Sequence, residues 1–219
     1  MLFADRLEAG RVLAFKLREF ADRDDVVVLA LPRGGVPVGY EVARQLGAPL
    51  DVFVVRKLGV PGQEELAMGA LASGGVTVVN SGVVHALGIT QGDIEAAVAR
   101  EQSELERRER EYRDGRPPIK THERTVILVD DGLATGSSMR VAIAALRKSS
   151  PGQIVVAVPV AAPATCQQFE SEVDKVVCAA TPEPFVAVGQ WYGNFQQTSD
   201  EEVRGLLRRA AESLTPNAA

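Results

Sequence analysis

The chain has few of the residues that most often announce chemistry. Among 219 residues there are two cysteines, two histidines and one tryptophan, and aromatic residues make up 5%. Cys166 and Cys178 lie 12 positions apart, which is neither a zinc-ligand spacing nor a redox CxxC pair. Set among apolar neighbours, they read as buried free thiols of a reducing compartment, not as a disulfide framework. His85 and His122 have no ligand-like spacing, so no metal site built from side chains is expected. The longest apolar runs, residues 26–32 and 154–164, are too short to cross a bilayer and both contain proline. The opening MLFADRLEAGR has no apolar core of a secretory signal, so the expected location is cytoplasmic and no membrane partner is expected. A net charge of -5 argues against a nucleic-acid partner, whose binding rests on neutralising many phosphates. Neither a GxGxxG fingerprint nor the Gly-Lys-Ser/Thr of a Walker A loop occurs.

What is present is an ordinary globular composition, 46% hydrophobic and 24% charged, patterned as alternating strands and helices. Residues 5–21 read as an amphipathic helix with Asp5 as cap and Leu13, Leu17 and Phe20 on one face. Residues 26–31 form a continuous valine-rich run that suits a strand buried on both faces. After the turn Pro32, Arg33, Gly34, Gly35 comes a helix carrying Val38, Val42 and Leu46, then a strand over 50–55. This is a βαβ unit and favours a parallel sheet. Residues 56–75 contain Gly59, Gly62, Gly69, Gly74 and Gly75 with little periodicity, and read as a functional loop or lid. A short strand is expected at 76–80. Residues 90–113 read as a highly charged, solvated helix with Thr90 and Asp93 as capping pair. Regular alternation then resumes with strands at 125–129, 154–160 and 173–179 and helices at 137–148, 164–172 and 199–214, the last capped by Ser199.

The informative segment is VILVDDGLATGSS, residues 126–138. An apolar strand delivers Asp130 and Asp131 to its carboxyl end, where open parallel sheets bind ligands. The loop that follows opens a helix, whose free amides and dipole attract phosphate. Gly132 and Gly136 let the backbone curl, and Thr135, Ser137 and Ser138 add hydroxyl donors. Two carboxylates beside a phosphate cradle make sense if they accept hydrogen bonds from sugar hydroxyls or face a metal ion. A sugar phosphate satisfies both ends of the loop.

This segment closely resembles the phosphoribosyl-pyrophosphate motif of type I phosphoribosyltransferases. The resemblance implies a three-layer α/β fold in one domain over 1–219, with a mostly parallel central sheet and helices on both faces. A helical insertion at about 80–120 and a C-terminal hood at about 181–219 would decorate it. It implies that Asp130 and Asp131 hold the ribose 2- and 3-hydroxyls and that Ala134 through Ser138 hold the 5-phosphate. Ala134 and Ser138 stand where threonine is frequent in the family; Ser138 keeps the hydroxyl and Ala134 loses one donor. The loop of Arg33, Gly34 and Gly35 would grip pyrophosphate, Arg56 and Lys57 would help to neutralise it, and Phe185 or Trp191 would offer a flat face to a nucleobase. Mg²⁺ would arrive on the polyphosphate, with Asp130 or Asp131 as a side-chain contact. The implied partners are phosphoribosyl pyrophosphate, a nitrogenous acceptor and a second copy of the chain, in nucleotide metabolism such as purine or pyrimidine salvage. The same fold also serves non-catalytic regulators, which usually add a nucleic-acid surface that this acidic chain does not advertise.

Overall fold

The computed structural model describes residues 2–214. The expected hood boundary of 181–219 therefore runs into residues 215–219, outside the described part. In chain order the elements are α1 (Arg6–Lys16), β1 (Val26–Ala30), α2 (Gly35–Leu46), β2 (Leu50–Val52), β3 (Val55–Val60), β4 (Gln63–Ala72), β5 (Val76–Val79), α3 (Ser81–Leu87), α4 (Gln91–Arg113), β6 (Thr125–Val129), α5 (Ser137–Arg147), β7 (Gln153–Val160), α6 (Pro163–Phe169), β8 (Lys175–Ala180) and α7 (Asp200–Leu214).

β1, β2, β6, β7 and β8 form one five-stranded sheet in the order β2-β1-β6-β7-β8, with every pairing parallel. β1, β6 and β7 are buried on both faces, as their unbroken apolar runs require, while the edge strand β8 is half-buried. Along β1 the side chains of Val26, Val28 and Ala30 join a core with Leu13 of α1 and Leu17 just after it, Val42 and Leu46 of α2, and Val203 and Leu206 of α7. The intervening Val27 and Leu29 point the other way, into a core with Met139, Ile143 and Leu146 of α5 and Phe169 of α6. The period of two along a strand thus divides one sequence between two helical layers. Chain direction matters for function. β1 runs through α2 to β2 on one side, while β6 pairs on its other side, with Ala30 opposite Val129. The order reverses there, opening a crevice beyond the carboxyl ends of β1 and β6.

The expectation of a loop over 56–75 is corrected. Those residues build β3, β4 and part of the way to β5, a separate antiparallel three-stranded sheet. Leu58, Val60, Met68 and Leu71 bury against Ile94, Ala97 and Leu105 of α4, which supplies the driving force. The periodicity is hidden by register shifts on either side of Gly59. The glycines serve close strand approach: a Cβ on Gly59 would sit 2.6 Å from Glu64 O, and one on Gly69 would sit 2.5 Å from Val78 O. Residues 61–67, the tip of the β3–β4 hairpin, are exposed.

The charged helix α4 carries the expected capping box, with Thr90 and Asp93 bonded reciprocally. It is more than a solvated face, because Tyr112 and Arg113 are buried at its end. Arg113 there donates to Asp51 at 2.9 Å and 3.1 Å and to Glu109 at 3.0 Å. The cysteines also depart from expectation. Cys166 and Cys178 are joined as a disulfide, because α6 and β8 lie side by side and bring together residues that sequence spacing alone does not pair. No helix among the described residues is long and apolar enough to cross a membrane.

Candidate active site

Two loops meet at the crevice. The first leaves β1 and passes through Pro32–Gly34 into α2; the Pro32–Arg33 peptide bond is cis. The second leaves β6 and passes through Asp130–Gly136 into α5. They are laced at their base by Leu31 N donating to Val129 O at 2.9 Å. Their contact is so close that only glycine fits on one side. A Cβ on Gly34 would lie 2.0 Å from Asp131 Oδ2, and one on Gly35 would lie 2.8 Å from Val129 O and 3.0 Å from Asp130 Cα. The two sequence signals therefore form one site.

At its floor stand Asp130 and Asp131. Asp130 Oδ1 accepts the Asp131 backbone N–H at 2.8 Å. Burial, and then the neighbouring Asp131 charge, push the Asp130 carboxyl well above the usual aspartate range. Asp131 is also raised by burial, against the opposing pull of Arg6, whose Nε donates to Asp131 Oδ2 at 2.8 Å. Water is thus largely withdrawn from a pair of acids that nonetheless keep free acceptor positions. Such perturbed acids in a cleft mark functional sites more often than structural ones.

The loop beyond them is built to leave its amides open. Gly136 takes φ 72° and precedes α5, whose first turn receives no side-chain cap. The first N–H groups of such a helix have no partner within it, and beside them Thr135, Ser137 and Ser138 are exposed, with the Thr135 and Ser137 hydroxyls 3.1 Å apart. The loop is stiffened from behind by α6. Thr165 Oγ1 donates to Ala134 O at 2.6 Å, and Phe169 fills the space a Cβ on Gly136 would need, 2.5 Å away. Arg140 lies 4.7 Å over the Phe169 ring and donates to Thr135 O at 2.8 Å.

The other sequence-selected residues divide. Arg33 stands beside this loop pair, with Nη1 3.8 Å from Asp200 Oδ1; Asp200 also accepts the Tyr112 hydroxyl at 2.6 Å. Arg56 pairs with Glu101 of α4 at 2.6 Å, and Lys57 pairs with Glu65 across the hairpin at 3.2 Å. Both cations are therefore held by acids of the small sheet and α4. Phe185 and Trp191 stack loosely, 6.3 Å apart, in a cluster with Phe3 and Tyr192. Trp191 Nε1 is buried there without a hydrogen-bond partner among the described residues.

Sequence reading missed the residues that close the site from above. Arg6, at the start of α1, reaches Asp131 and also donates to Gln196 O at 2.7 Å, with its guanidinium 3.9 Å from the Phe195 ring. Tyr192 donates its hydroxyl to Asp131 O at 2.5 Å. Leu2 and Phe3 N–H groups both bond Trp191 O, so the N-terminal segment and the hood are zipped together. A separation of 125 residues between Arg6 and Asp131 leaves no local signal, and an Asp-capped helix start gives no hint of such reach.

The family model described as the phosphoribosyl transferase domain matches residues 4–191. The chain belongs to that family. Its architecture is the type I phosphoribosyltransferase fold, with the five-stranded parallel sheet and flanking helices described above. Family members from two strains of Mycobacterium tuberculosis, provisionally named phosphoribosyl transferases, are each 47% identical over 95% of this chain. The match takes in 47% of their length, so the chain spans about half of these curated relatives. The crystal structure of TT1426 from Thermus thermophilus superposes with a TM-score of 0.83 at 41% identity, covering 95% of this chain and 99% of that one.

Proposed function

We propose that the protein transfers the 5-phosphoribosyl group from phosphoribosyl pyrophosphate to a nitrogenous base and releases pyrophosphate, as a pentosyltransferase. The observation that carries this reading is the continuity of the site. A half-buried acid pair passes directly into an uncapped helix N-terminus, with the Arg33–Gly35 loop pressed against the acids. In this reading Asp130 and Asp131 accept the ribose hydroxyls, and the amides and hydroxyls of Gly132 and Ala134 through Ser138 hold the 5-phosphate. Arg33, Gly34 and Gly35 face the pyrophosphate. Arg56 and Lys57 join only if they exchange Glu101 and Glu65 for the ligand. Phe185 and Trp191 belong to the wall that meets the acceptor.

The acceptor nitrogen attacks the anomeric carbon as the carbon–oxygen bond to pyrophosphate breaks. The bonding pair departs with pyrophosphate, and the acceptor's proton passes to solvent or a base. Positive character develops on the sugar ring, close to the two carboxylates, so positioning and charge complementarity supply the rate. No cluster of three or more metal-ligating side chains occurs among the described residues. Two carboxylates at a strand end nevertheless suit Mg²⁺ that reaches the site largely coordinated by phosphates and water. Asp130 or Asp131 would contact such an ion, which would supply charge neutralisation for the departing pyrophosphate. A cytoplasmic homodimer belongs to the same reading by family resemblance.

The test is a pyrophosphate-release assay with phosphoribosyl pyrophosphate, Mg²⁺ and a panel of purine and pyrimidine bases. Release dependent on one base supports transfer and names the acceptor. Donor binding without release across the panel counts against turnover and for a regulator on this fold.

A further inference from the structure

Asp131 is held in place in an unusual way for a surface-cleft acid. One of its carboxylate oxygens, Oδ2, is boxed in. Arg6 Nε donates to it at 2.8 Å, and the missing side chain of Gly34 leaves just enough room, since a Cβ there would be 2.0 Å away. The backbone carbonyl of the same residue is taken by Tyr192. The side chains of Arg6 and Asp131 are only 11% and 15% exposed, so the pair is largely out of water, where a charge-assisted hydrogen bond is strong and directional. Arg6 is itself fixed at two further points, by Gln196 O at 2.7 Å and by the Phe195 ring at 3.9 Å. A chain of contacts therefore runs from the hood through Arg6 to one oxygen of Asp131, and leaves the other oxygen, Oδ1, to a ligand.

We propose that Arg6 is a positioning residue for the sugar: it fixes the Asp131 carboxylate so that Oδ1 meets a ribose hydroxyl, with Gln196 and Phe195 holding its guanidinium in place. This rests on the reading of Asp131 as a sugar-binding acid. Arg6 acts through Asp131 and does not itself touch the sugar. An amide or hydrocarbon at position 6 frees the carboxylate to rotate and removes the side-chain link to Gln196 and Phe195. Lysine restores the charge but cannot bond Asp131, Gln196 O and the Phe195 ring face at once, because it lacks the planar fork.

The experiment is calorimetric titration of phosphoribosyl pyrophosphate with Mg²⁺ into the wild type, Arg6→Gln, Arg6→Lys, Asp131→Asn and the double variant Arg6→Gln/Asp131→Asn, with inorganic pyrophosphate as second ligand and thermal unfolding of each. Loss of one charge-assisted positioning contact is expected to weaken donor affinity roughly tenfold or more in Arg6→Gln. Arg6→Lys recovers part of it. Pyrophosphate affinity changes little. In the Asp131→Asn background the Arg6→Gln change has almost no further effect, because the group it positions is no longer a carboxylate. A folded Arg6→Gln protein that binds donor like the wild type overturns the inference while leaving the family reading intact. So does a full additional loss in the Asp131→Asn background, or an equal loss for pyrophosphate, since either describes a general structural role. If Arg6→Gln does not fold, Arg6→Lys, alone and combined with Asp131→Asn, decides by the same criteria. Failure of the wild type to bind donor would instead remove the reading of Asp131 itself.

Discussion

Replacing Gly34 by alanine adds one methyl group and tests whether the two loops form one site. Gly34 has φ −61° and ψ −31°, a conformation alanine adopts freely. At such a position with open space around it, alanine stabilises a protein by about 0.4–1 kcal/mol, chiefly by restricting the unfolded chain. Gly205, inside α7 with nothing within 4 Å of its would-be Cβ, provides that open case in the same molecule. At Gly34 the added carbon falls 2.0 Å from Asp131 Oδ2, 2.8 Å from its Cγ and 3.2 Å from Arg6 Nε. Asp131 cannot withdraw without lengthening its 2.8 Å bond to Arg6, and the loop cannot withdraw without separating from β6. Overpacking of this kind costs about 1–3 kcal/mol. The sign therefore reverses between the two sites. Gly205→Ala should raise the thermal midpoint by about 1–4 °C, and Gly34→Ala should lower it by about 2–12 °C. Donor affinity should be unchanged in Gly205→Ala and reduced at least about tenfold in Gly34→Ala, because the displaced group is the acid proposed to bind the sugar. Differential scanning fluorimetry and donor titration on both variants make the measurement. A Gly34→Ala protein as stable as Gly205→Ala, with wild-type donor affinity, would refute the close approach of the two loops.

Two further outcomes follow from the site and its support. Burial raises both acids of the pair, and the Asp131 charge raises Asp130 further, so the fold favours the protonated form; the stability the pair lends is full below the ordinary aspartate range and is lost as pH rises through the raised values. Asp130→Asn keeps the acceptor for Asp131 N–H and removes the charge, so at pH 7 it should stabilise the free protein by about 0.5–2 kcal/mol, with the gain shrinking as pH falls toward about 4, while donor affinity falls about tenfold. Unfolding midpoints across pH check this, and a gain that does not vary with pH contradicts the assignment of the cost to charge. The Cys166–Cys178 disulfide, 12 residues apart in sequence, anchors α6, which carries Thr165 and Phe169 against the phosphate loop. Chain-entropy arguments give its removal a cost of about 3 kcal/mol, so the double serine variant should melt about 6–12 °C lower and bind donor less tightly, and unchanged melting would show that the link does not brace the loop.

The parts of this molecule that could be read from sequence are those whose causes are local. The apolar runs of β1 and β6, the caps at Asp5, Thr90 and Ser199, and the passage from Val129 through Asp130 into Ser137 each carry their own signal within a few residues. Three features did not. The small sheet is disguised because Gly59 and Gly69 break side-chain alternation, and what orders the strands is α4, which arrives later in the chain. The disulfide depends on α6 and β8 lying side by side, a tertiary fact invisible in a spacing of 12. The upper wall of the site joins Arg6 to Asp131 and Phe195, and charge or aromatic content cannot assign partners across such separations. The glycines of the Arg33 loop lie between these cases: the turn they mark is local, while the acid pair they press against lies about a hundred residues away.

The central claim is that the crevice between the β1 and β6 loops is a phosphoribosyl pyrophosphate site. The most direct test is calorimetric titration of that donor, with Mg²⁺, into the wild type and into the Asp130→Asn/Asp131→Asn variant. The account predicts one site per chain in the wild type and an affinity at least about a hundredfold weaker in the variant, the loss of two charge-assisted hydrogen bonds. Equal binding by both proteins, or none by the wild type, would contradict it.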